Sequence, residues 1–316
     1  MSQATPLKTE IQQIVQDIPV TFGVAIKYLE SGQQVLLNND RTYQLASVFK
    51  IPVLATAMWQ VDAGRFGLDD RIELRDTHKT SPSGILAFLQ EGLQPTVKDL
   101  LMLMIIISDN TATDMVLDLV GGPQAVNALL REWGFGENEI NITMSVHDLF
   151  EDVFGTSECL LTGPEMTARL KKNGVNFEGK VYCEGSMANV ATPEAMNRLN
   201  EMIFRGQVAS QKACDEALDV LLHQTLNARL PCQLPPEVPV AHKTGTFIIV
   251  RNDSGILYVD DNVHIAITVL TQKEQRPSME EMLAPPSEEG AIIDKAIGQI
   301  AKLAFDYGRE TKGILK

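Results

Sequence analysis

The sequence has no excess of basic residues and no long hydrophobic run. It carries 27 Lys and Arg residues against 41 Asp and Glu residues, for a formal net charge of −14 over 316 residues. Because a surface that binds nucleic acid must neutralise phosphates with basic groups, we expect no nucleic-acid partner. The longest fully apolar run, from Leu100 to Ile107, is far shorter than the ~20 residues of a membrane-spanning helix, so we expect no membrane partner.

The first residues, MSQATPLKTEIQQIVQDI, also lack the features of an export signal. Such a signal has a basic start, an apolar stretch and a cleavage site of small residues. We therefore expect the chain to be cytoplasmic, or periplasmic or secreted if an export signal has been removed.

Cysteine and histidine are both scarce. The four cysteines form no CxxC pair, and the five histidines form neither HExxH nor HxxxH. We therefore predict no metal site and no cofactor. We expect the cysteines to be buried free thiols rather than disulfides; they are Cys159, Cys183, Cys214 and Cys232.

Alternating β-type patterns occur near both ends of the chain, and helical patterns fill the middle. The runs VTFGVAIKYL and QQVLLNN predict a hairpin. The runs PVAHKTGTFIIVRND and GILYVDDNVHIAITVLT predict two later strands joined by a turn at Asn252–Gly255. This order indicates an α/β (α+β) fold, in which an antiparallel sheet from both termini packs beside an inserted all-helical subdomain. We assign residues 1–64 and 236–316 to the α/β subdomain and 65–235 to the helical one, with the least regular stretch at about 135–192.

The segment LASVFKIPV holds a serine and a lysine, Ser47 and Lys50, in an apolar setting. They lie three residues apart, on one face of a predicted buried helix. A serine hydroxyl is a weak nucleophile until a base takes its proton, and a lysine can be that base when burial or nearby cations lower its pKa. A single SxxK motif recurs by chance, however, and its lysine can equally reach water or a carbonyl group.

Two further motifs support the catalytic interpretation. Ser108-Asp109-Asn110 follows an apolar helix, and Lys243-Thr244-Gly245 lies on a predicted strand. SxxK, SDN and KTG occur once each and in the order of the penicillin-recognising serine hydrolases. With the surrounding text ASVFKIPV, LMLMIIISDNTATDMVLDLVGGP and VAHKTGT, the chain resembles class A β-lactamases from about residue 20 to 307. The resemblance implies the β-lactamase/transpeptidase-like fold.

The resemblance also implies four catalytic roles. Ser47 would attack a strained amide carbonyl and form an acyl-enzyme, and Lys50 would accept or shuttle its proton. Ser108 would pass a proton to the leaving nitrogen, and Lys243 would keep the site electropositive. The backbone N–H groups of Ser47 and Thr246 would form the oxyanion hole.

Substrate binding is assigned to four residues in the same way. Asn110 would bind the side-chain amide of the substrate, and Thr244 would bind its carboxylate. Thr246 would line the same site. Arg251, on the hairpin that follows the KTG motif, would bind the carboxylate, unless it is a solvated surface arginine.

The sequence departs from the family where the deacylation base belongs. No ExxLN motif exists, and the interval from Ser108 to Lys243 is longer than usual. The loop that carries that motif is therefore enlarged or rebuilt between Phe135 and Asn189. The candidate bases, each of which can equally be a solvated surface carboxylate, are Glu151, Glu158, Glu165, Glu178 and Glu184. Glu184, in CEGSMAN, comes nearest to the motif, but its spacing is wrong.

Three functions fit this pattern. The first is a β-lactam hydrolase. The second is a related esterase or D-Ala-D-Ala peptidase, and the third is a penicillin-binding protein that acylates without turnover. All three predict a small-molecule substrate, and we expect a monomer.

Overall fold

A five-stranded antiparallel sheet forms the centre of one half of the molecule. The computed structural model describes residues 6–80, 82–155, 163–182, 188–248, 250–278 and 288–312. Its strands are β1 (Thr21–Tyr28), β2 (Gln34–Leu37), β3 (Tyr43–Gln44), β4 (Ile140–Asn141), β5 (Val190–Ala191), β6 (Val240–Phe247), β7 (Val250–Asp260) and β8 (Val263–Gln272). The large sheet has the order β2-β1-β8-β7-β6, and the short strands form a second sheet with the order β3-β5-β4. The large sheet therefore joins both ends of the described chain, and β6 is one of its two edge strands.

Helices cover this sheet and form the other half. They are α1 (Pro6–Val15), α2 (Lys50–Asp62), α3 (Val97–Ile106), α4 (Asn110–Val120), α5 (Gly122–Glu132), α6 (Val146–Phe154), α7 (Gly163–Asn173), α8 (Pro193–Phe204), α9 (Gln211–Leu222) and α10 (Glu288–Thr311). Short 3₁₀ segments occur at Ala46–Phe49, Asp76–His78, Leu86–Phe88, Lys180–Tyr182 and Leu230–Gln233. Side-chain caps fix several starts: Thr96 accepts from the N–H of Asp99 at α3, and Thr192 accepts from that of Ala195 at α8.

The molecule contains two large hydrophobic cores. One lies between the large sheet and the helices α1 and α10, with Ile11, Phe22 and Ile300 in its centre. The other lies among the helices of the middle region and contains Phe49 and Leu101. The Ala46–Phe49 segment lies against β6, so the boundary between the cores brings the nucleophile motif next to the KTG strand.

The predicted fold class is confirmed, because an antiparallel sheet from both ends packs beside a helical region. The exact subdomain boundaries stay a prediction. None of the described helices is long and apolar enough to cross a membrane. Of the cysteines, Cys214 is buried and free as expected, Cys232 is free but exposed, and Cys159 and Cys183 lie outside the described residues.

The predicted turn at Asn252–Gly255 is wrong, because these residues lie inside β7. The side chain of Asn252 is fully buried and is used as a brace. It donates to the carbonyl oxygens of Gln44 at 2.8 Å and Leu45 at 3.1 Å, and it accepts from the N–H of Thr271 at 2.8 Å. A turn-type sequence thus serves as a buried polar strand that supports the segment before Ser47.

Candidate active site

Ser47 lies in the 3₁₀ segment that leads into α2. Its side chain is partly accessible, whereas that of Lys50, at the first position of the helix, is fully buried. The preceding residue, Ala46, has a φ of 45°, which costs a non-glycine residue about 1 kcal/mol or more. The chain therefore accepts local strain at the position that orients the serine.

The amine of Lys50 is held by the SDN motif. Its Nζ donates to Ser108 O at 2.8 Å, to Ser108 Oγ at 3.0 Å and to Asn110 Oδ1 at 3.0 Å. Ser108 also has a positive φ, 58°, so both of its oxygens can face the lysine. Because the Asn110 oxygen is engaged, the nitrogen end of that amide remains as a donor at the cavity that Asn110 lines.

Burial lowers the pKa of Lys50 to about 7, although the charges of Asp114 and Asp109 act in the opposite direction. The ammonium loses the hydration that it has in water, and the hydrogen bonds replace it only in part. Near neutral pH a large fraction of the molecules therefore hold a neutral amine here, which is what a general base for serine requires.

Lys243 is the second buried lysine. Its Nζ donates to Thr244 O at 2.8 Å. Burial first, and then the charge of Lys50, lower the pKa of Lys243 well below its usual value, against the influence of Asp253. The two amines are therefore close enough to interact, and burial favours the neutral form of both.

Gly245 allows the KTG strand to approach the nucleophile segment. A Cβ at this position would lie 2.5 Å from Leu45 O and 3.1 Å from the backbone nitrogen of Val48. Both distances are below ordinary van der Waals contact, so only glycine fits. The third residue of KTG is thus required by packing between two backbones.

The free edge of β6 presents backbone groups to the cleft. Thr246 lies directly opposite Arg251 of β7, but the N–H and C=O of Arg251 both bond to the hydroxyl of Thr271 on β8. The pair is therefore of the non-hydrogen-bonded kind, in which the N–H of Thr246 points away from β7. That orientation fits the predicted oxyanion donor.

The side chain of Thr246 is held by Arg229, a residue that the sequence did not single out. Arg229 is 5% exposed and donates from Nη2 to Thr246 Oγ1, from Nη1 to Gly245 O, and from Nε to Asp294 Oδ1 at 2.7 Å. It reaches the site from the start of the Leu230–Gln233 segment, distant in sequence, so no local pattern marked it.

Arg251, the arginine that the sequence favoured, is directed elsewhere. Its guanidinium donates twice to the carboxylate of Asp294 on α10, with Nε at 2.8 Å from Oδ1, and it lies against Gly290. Neither Arg251 nor Arg229 is among the residues that line the cavity, but Arg229 bonds to Thr246, which is. We therefore correct the prediction and assign the cation beside Thr246 to Arg229.

Asp109, between Ser108 and Asn110, anchors a loop rather than facing the cleft. It is fully buried and accepts from the N–H groups of Ile85 at 2.6 Å, Leu86 at 2.9 Å and Ala112 at 2.9 Å. A Cβ on Gly84, whose φ is 97°, would lie 2.2 Å from this carboxylate. The loop therefore needs glycine there, and it positions the rim of the cleft.

A cavity of about 390 Å³ joins these groups. Its polar lining residues include Ser47, Ser108, Asn110, Thr244 and Thr246. Lys50 and Lys243 are fully buried. The three sequence motifs are therefore assembled around one cavity.

The wall from α6 is apolar and aromatic. Val146, Leu149, Phe150 and Phe154 line the cavity together with Phe247 of β6. The rings of Phe150 and Phe154 are 5.3 Å apart, and those of Phe150 and Phe247 are 6.2 Å apart. Hydrophobic side chains from the described part of the rebuilt region thus line this side of the cavity.

Asp114 of α4 fixes the start of this wall. Its carboxylate accepts from the N–H of Val146 at 2.8 Å and of His147 at 3.0 Å, and from the hydroxyl of Thr80 at 3.1 Å. Burial raises the pKa of Asp114 to about 6 in spite of these donors and of Lys50. The sequence showed only a helical aspartate, and its partners become visible only in three dimensions.

No described carboxylate lines the cavity. Of the candidate bases, Glu151 and Glu165 are exposed on α6 and α7, and Glu178 is an exposed partner of Arg276 at 2.6 Å. Glu158 and Glu184 lie outside the described residues. Within the described ranges no group of His, Cys, Asp and Glu could hold a metal ion.

Known proteins are similar to this chain in sequence and in fold. The model of the β-lactamase enzyme family matches residues 6–307. The β-lactamase VEB-1 of Pseudomonas aeruginosa is 25% identical, over 97% of this chain and 91% of its own. A β-lactamase structure from Sphaerobacter thermophilus DSM 20745 is 27% identical with a TM-score of 0.71 over 94% of both chains, and the structure of PBP-A is 26% identical with a TM-score of 0.73 over 96% of both. With SxxK, SDN and KTG assembled around one cavity, the chain belongs to the β-lactamase enzyme family.

Proposed function

We propose that the protein is a serine hydrolase that opens β-lactam rings through an acyl-enzyme on Ser47. The observation that carries the proposal is the buried amine of Lys50, which bonds to Ser108 and Asn110 next to the cavity that Ser47 lines. The names of the relatives support the same substrate class.

In the acylation step, the hydroxyl oxygen of Ser47 attacks the carbonyl carbon of the strained amide. The neutral amine of Lys50 takes the hydroxyl proton. Ser108, whose Oγ accepts a hydrogen bond from Lys50 at 3.0 Å, passes a proton to the ring nitrogen as the C–N bond breaks. The product is an ester on Ser47.

The oxygen of the attacked carbonyl becomes negative during this step. The backbone N–H groups of Ser47 and Thr246 would stabilise it, and each such donor typically contributes about 3 kcal/mol to the transition state. The amide nitrogen of Asn110 would donate to a carbonyl in the substrate's side chain.

The cationic side of the cleft suits a substrate that carries a carboxylate. Thr244 and Thr246 offer hydroxyls, with Arg229 behind the second and Lys243 buried next to the first. A charged partner roughly doubles the strength of such hydrogen bonds. We therefore assign the anion of the substrate to these residues.

A second candidate is a penicillin-binding protein that acylates in the same way and releases the product slowly. The absence of a carboxylate among the described cavity residues favours it, because fast deacylation needs a base that activates water. The two candidates share the first chemical step and differ in the second.

One experiment separates the candidates. The protein is incubated with a chromogenic cephalosporin, and its intact mass is measured after exposure to penicillin. Turnover supports the hydrolase, and a lasting adduct without turnover supports the slow penicillin-binding protein. Cleavage of a p-nitrophenyl ester without any adduct supports an esterase instead. Ser47→Ala must abolish whichever activity is found; activity that survives this change refutes the mechanism.

We expect the active form to be a monomer; light scattering during turnover tests this. The cellular compartment stays a prediction, and fractionation of producing cells with an assay of each fraction tests it.

A further inference from the structure

Three phenylalanine rings form an aromatic wall on one side of the cavity. Phe150 and Phe154 come from α6, Phe247 comes from β6, and all three line the same cavity as Ser47. Their ring centroids are 5.3, 6.2 and 6.4 Å apart, with planes inclined by 43°, 74° and 64°. Phe150 and Phe247 are only partly buried. Because tilted rings offer both faces and edges, which are the contacts that aromatic groups prefer, the wall can take a further ring.

The wall starts next to Asn110, to which we assigned the side-chain carbonyl of the substrate. Asn110 and Asp114 lie four residues apart, on the same face of α4. The carboxylate of Asp114 accepts from the N–H of Val146, the first residue of α6, at 2.8 Å. The start of α6 is therefore fixed to the helix face that carries the Asn110 amide.

The other side of the wall adjoins the oxyanion donor. Phe247 directly follows Thr246 in β6, and its ring is 6.2 Å from that of Phe150. An acyl group on Ser47 thus has its carbonyl oxygen and its side-chain amide bound next to two edges of the wall. The cavity, with about 390 Å³, is near the lower limit of the about 300–1,000 Å³ that ligand pockets have. The rest of the side chain therefore meets the rings.

No charged group is available to a substrate at this wall. Among the described residues that line the cavity, none is Asp, Glu, Lys, Arg or His. The two amides on this side are already used, because Gln44 Nε2 donates to Val181 O and Asn189 Nδ2 donates to Met144 O. The oxygen of Gln44 is itself buried out of reach. A charge that moves from water to this wall loses its hydration and gains no partner.

We propose that the aromatic wall binds an uncharged aromatic ring in the acyl side chain of the β-lactam and disfavours side chains with a charge next to that ring. The inference rests on the proposed function and names the substrate class of the same site. The side-chain carbonyl accepts from the Asn110 amide, and the ring packs against Phe150 and Phe247. Phe150, whose ring contacts both other rings of the wall, is a specificity-determining residue.

Three penicillins that share one nucleus and one phenyl ring test the proposal. Benzylpenicillin has a methylene group next to the ring, ampicillin has an amine on that carbon, and carbenicillin has a carboxylate there. At pH 6 both substituents are charged, since an α-amine has an ordinary pKa of about 8. The acylation efficiency is measured as kcat/KM, or as the second-order rate of adduct formation where turnover is slow. We expect benzylpenicillin to exceed each of the other two about tenfold or more.

Substitutions of Phe150 test the assignment to the wall. Phe150→Ala should lower the efficiency with benzylpenicillin about tenfold and bring the three substrates closer together. Phe150→Arg supplies a cation, so it should favour carbenicillin over ampicillin. Phe204→Ala is the control, because this half-buried ring packs against Tyr258 and His264, and Phe204 does not line the cavity. It should keep the wild-type ratios between the substrates.

Each result supports or overturns the inference. Equal efficiencies for the three penicillins would overturn it, and slowing by a substituent of one sign alone would assign the effect to electrostatic attraction instead. Wild-type ratios in Phe150→Ala would also overturn it; if that variant does not fold, wild-type ratios in Phe150→Arg would do so. Absence of both turnover and adduct with all three penicillins would instead overturn the proposed function, and the inference with it.

Discussion

Replacing Lys50 by methionine should change how the stability of the protein depends on pH. The folded protein holds this amine at a pKa of about 7, whereas the unfolded chain restores the ordinary value of 10.5. Between these values the unfolded chain binds a proton that the folded protein releases, so folding stability rises with pH. Below about pH 7 the penalty for burying the charge is complete, and above about pH 10.5 it is gone. Methionine has a similar volume and no charge, so the variant lacks this dependence.

The size of the effect follows from the shift. One pKa unit corresponds to about 1.4 kcal/mol, and the wild type should therefore gain about 2–3 kcal/mol over Lys50→Met between pH 6 and pH 9. The hydrogen bonds lost from Ser108 and Asn110 cost the same at both pH values and cancel in this comparison. Without the charge at Lys50, the pKa of Lys243 is lowered less. Lys243 then contributes less to the pH dependence of the variant, which adds to its difference from the wild type.

Urea unfolding followed by circular dichroism at the two pH values measures the difference. Lys212→Met, on the exposed surface of α9, is the control. Its free energy of unfolding should change between the two pH values as much as that of the wild type. If the free energy of unfolding of Lys50→Met changes with pH as much as that of the wild type, the folded protein does not lower the pKa of Lys50. The assignment of Lys50 as the base then fails.

Three further predictions concern activity. The acylation rate should rise with pH through about 7, because the neutral form of Lys50 is the base; a flat profile in rapid-quench measurements would contradict this. Arg229→Ala should raise KM for carboxylate-bearing β-lactams about tenfold or more, while Arg251→Ala, which loses the same carboxylate partner, should keep KM near the wild-type value. Gly245→Ala should lower Tm and suppress adduct formation, since its Cβ meets backbone at 2.5 Å; Gly67→Ala, which meets nothing closer than 3.5 Å, should change neither.

The sequence was most informative where the deciding contacts are local. The spacing of Ser47 and Lys50 predicted a helical segment, and the two residues lie three apart in the 3₁₀ segment Ala46–Phe49 and the start of α2 that follows it. The fold class followed from strand patterns at both ends, and it is confirmed together with the family. The family resemblance and the site residues were inferred from the order of the three motifs, because each motif alone is too short to be specific.

The sequence failed where long-range pairing overrides a local signal. Asn252 to Gly255 reads as a turn, yet these residues are buried in a strand, where the side chains of Asn252 and Asp253 bond to distant backbone groups. Arg229 and Arg251 both carry the right charge and both bond to Asp294, and only the three-dimensional structure shows that Arg229 is the one that bonds to Thr246. The rebuilt stretch before Val190 has no periodic pattern, so its aromatic wall could not be foreseen.

The hydrogen bonds of the Asn252 side chain have a consequence for how the protein loses activity when it is heated. One side chain links the carbonyl groups just before the nucleophile to the last strand of the sheet, so the reactive segment cannot loosen while those strands remain paired. Thermal inactivation and loss of the β-sheet signal should therefore occur at the same temperature, without an interval in which a folded protein is already inert.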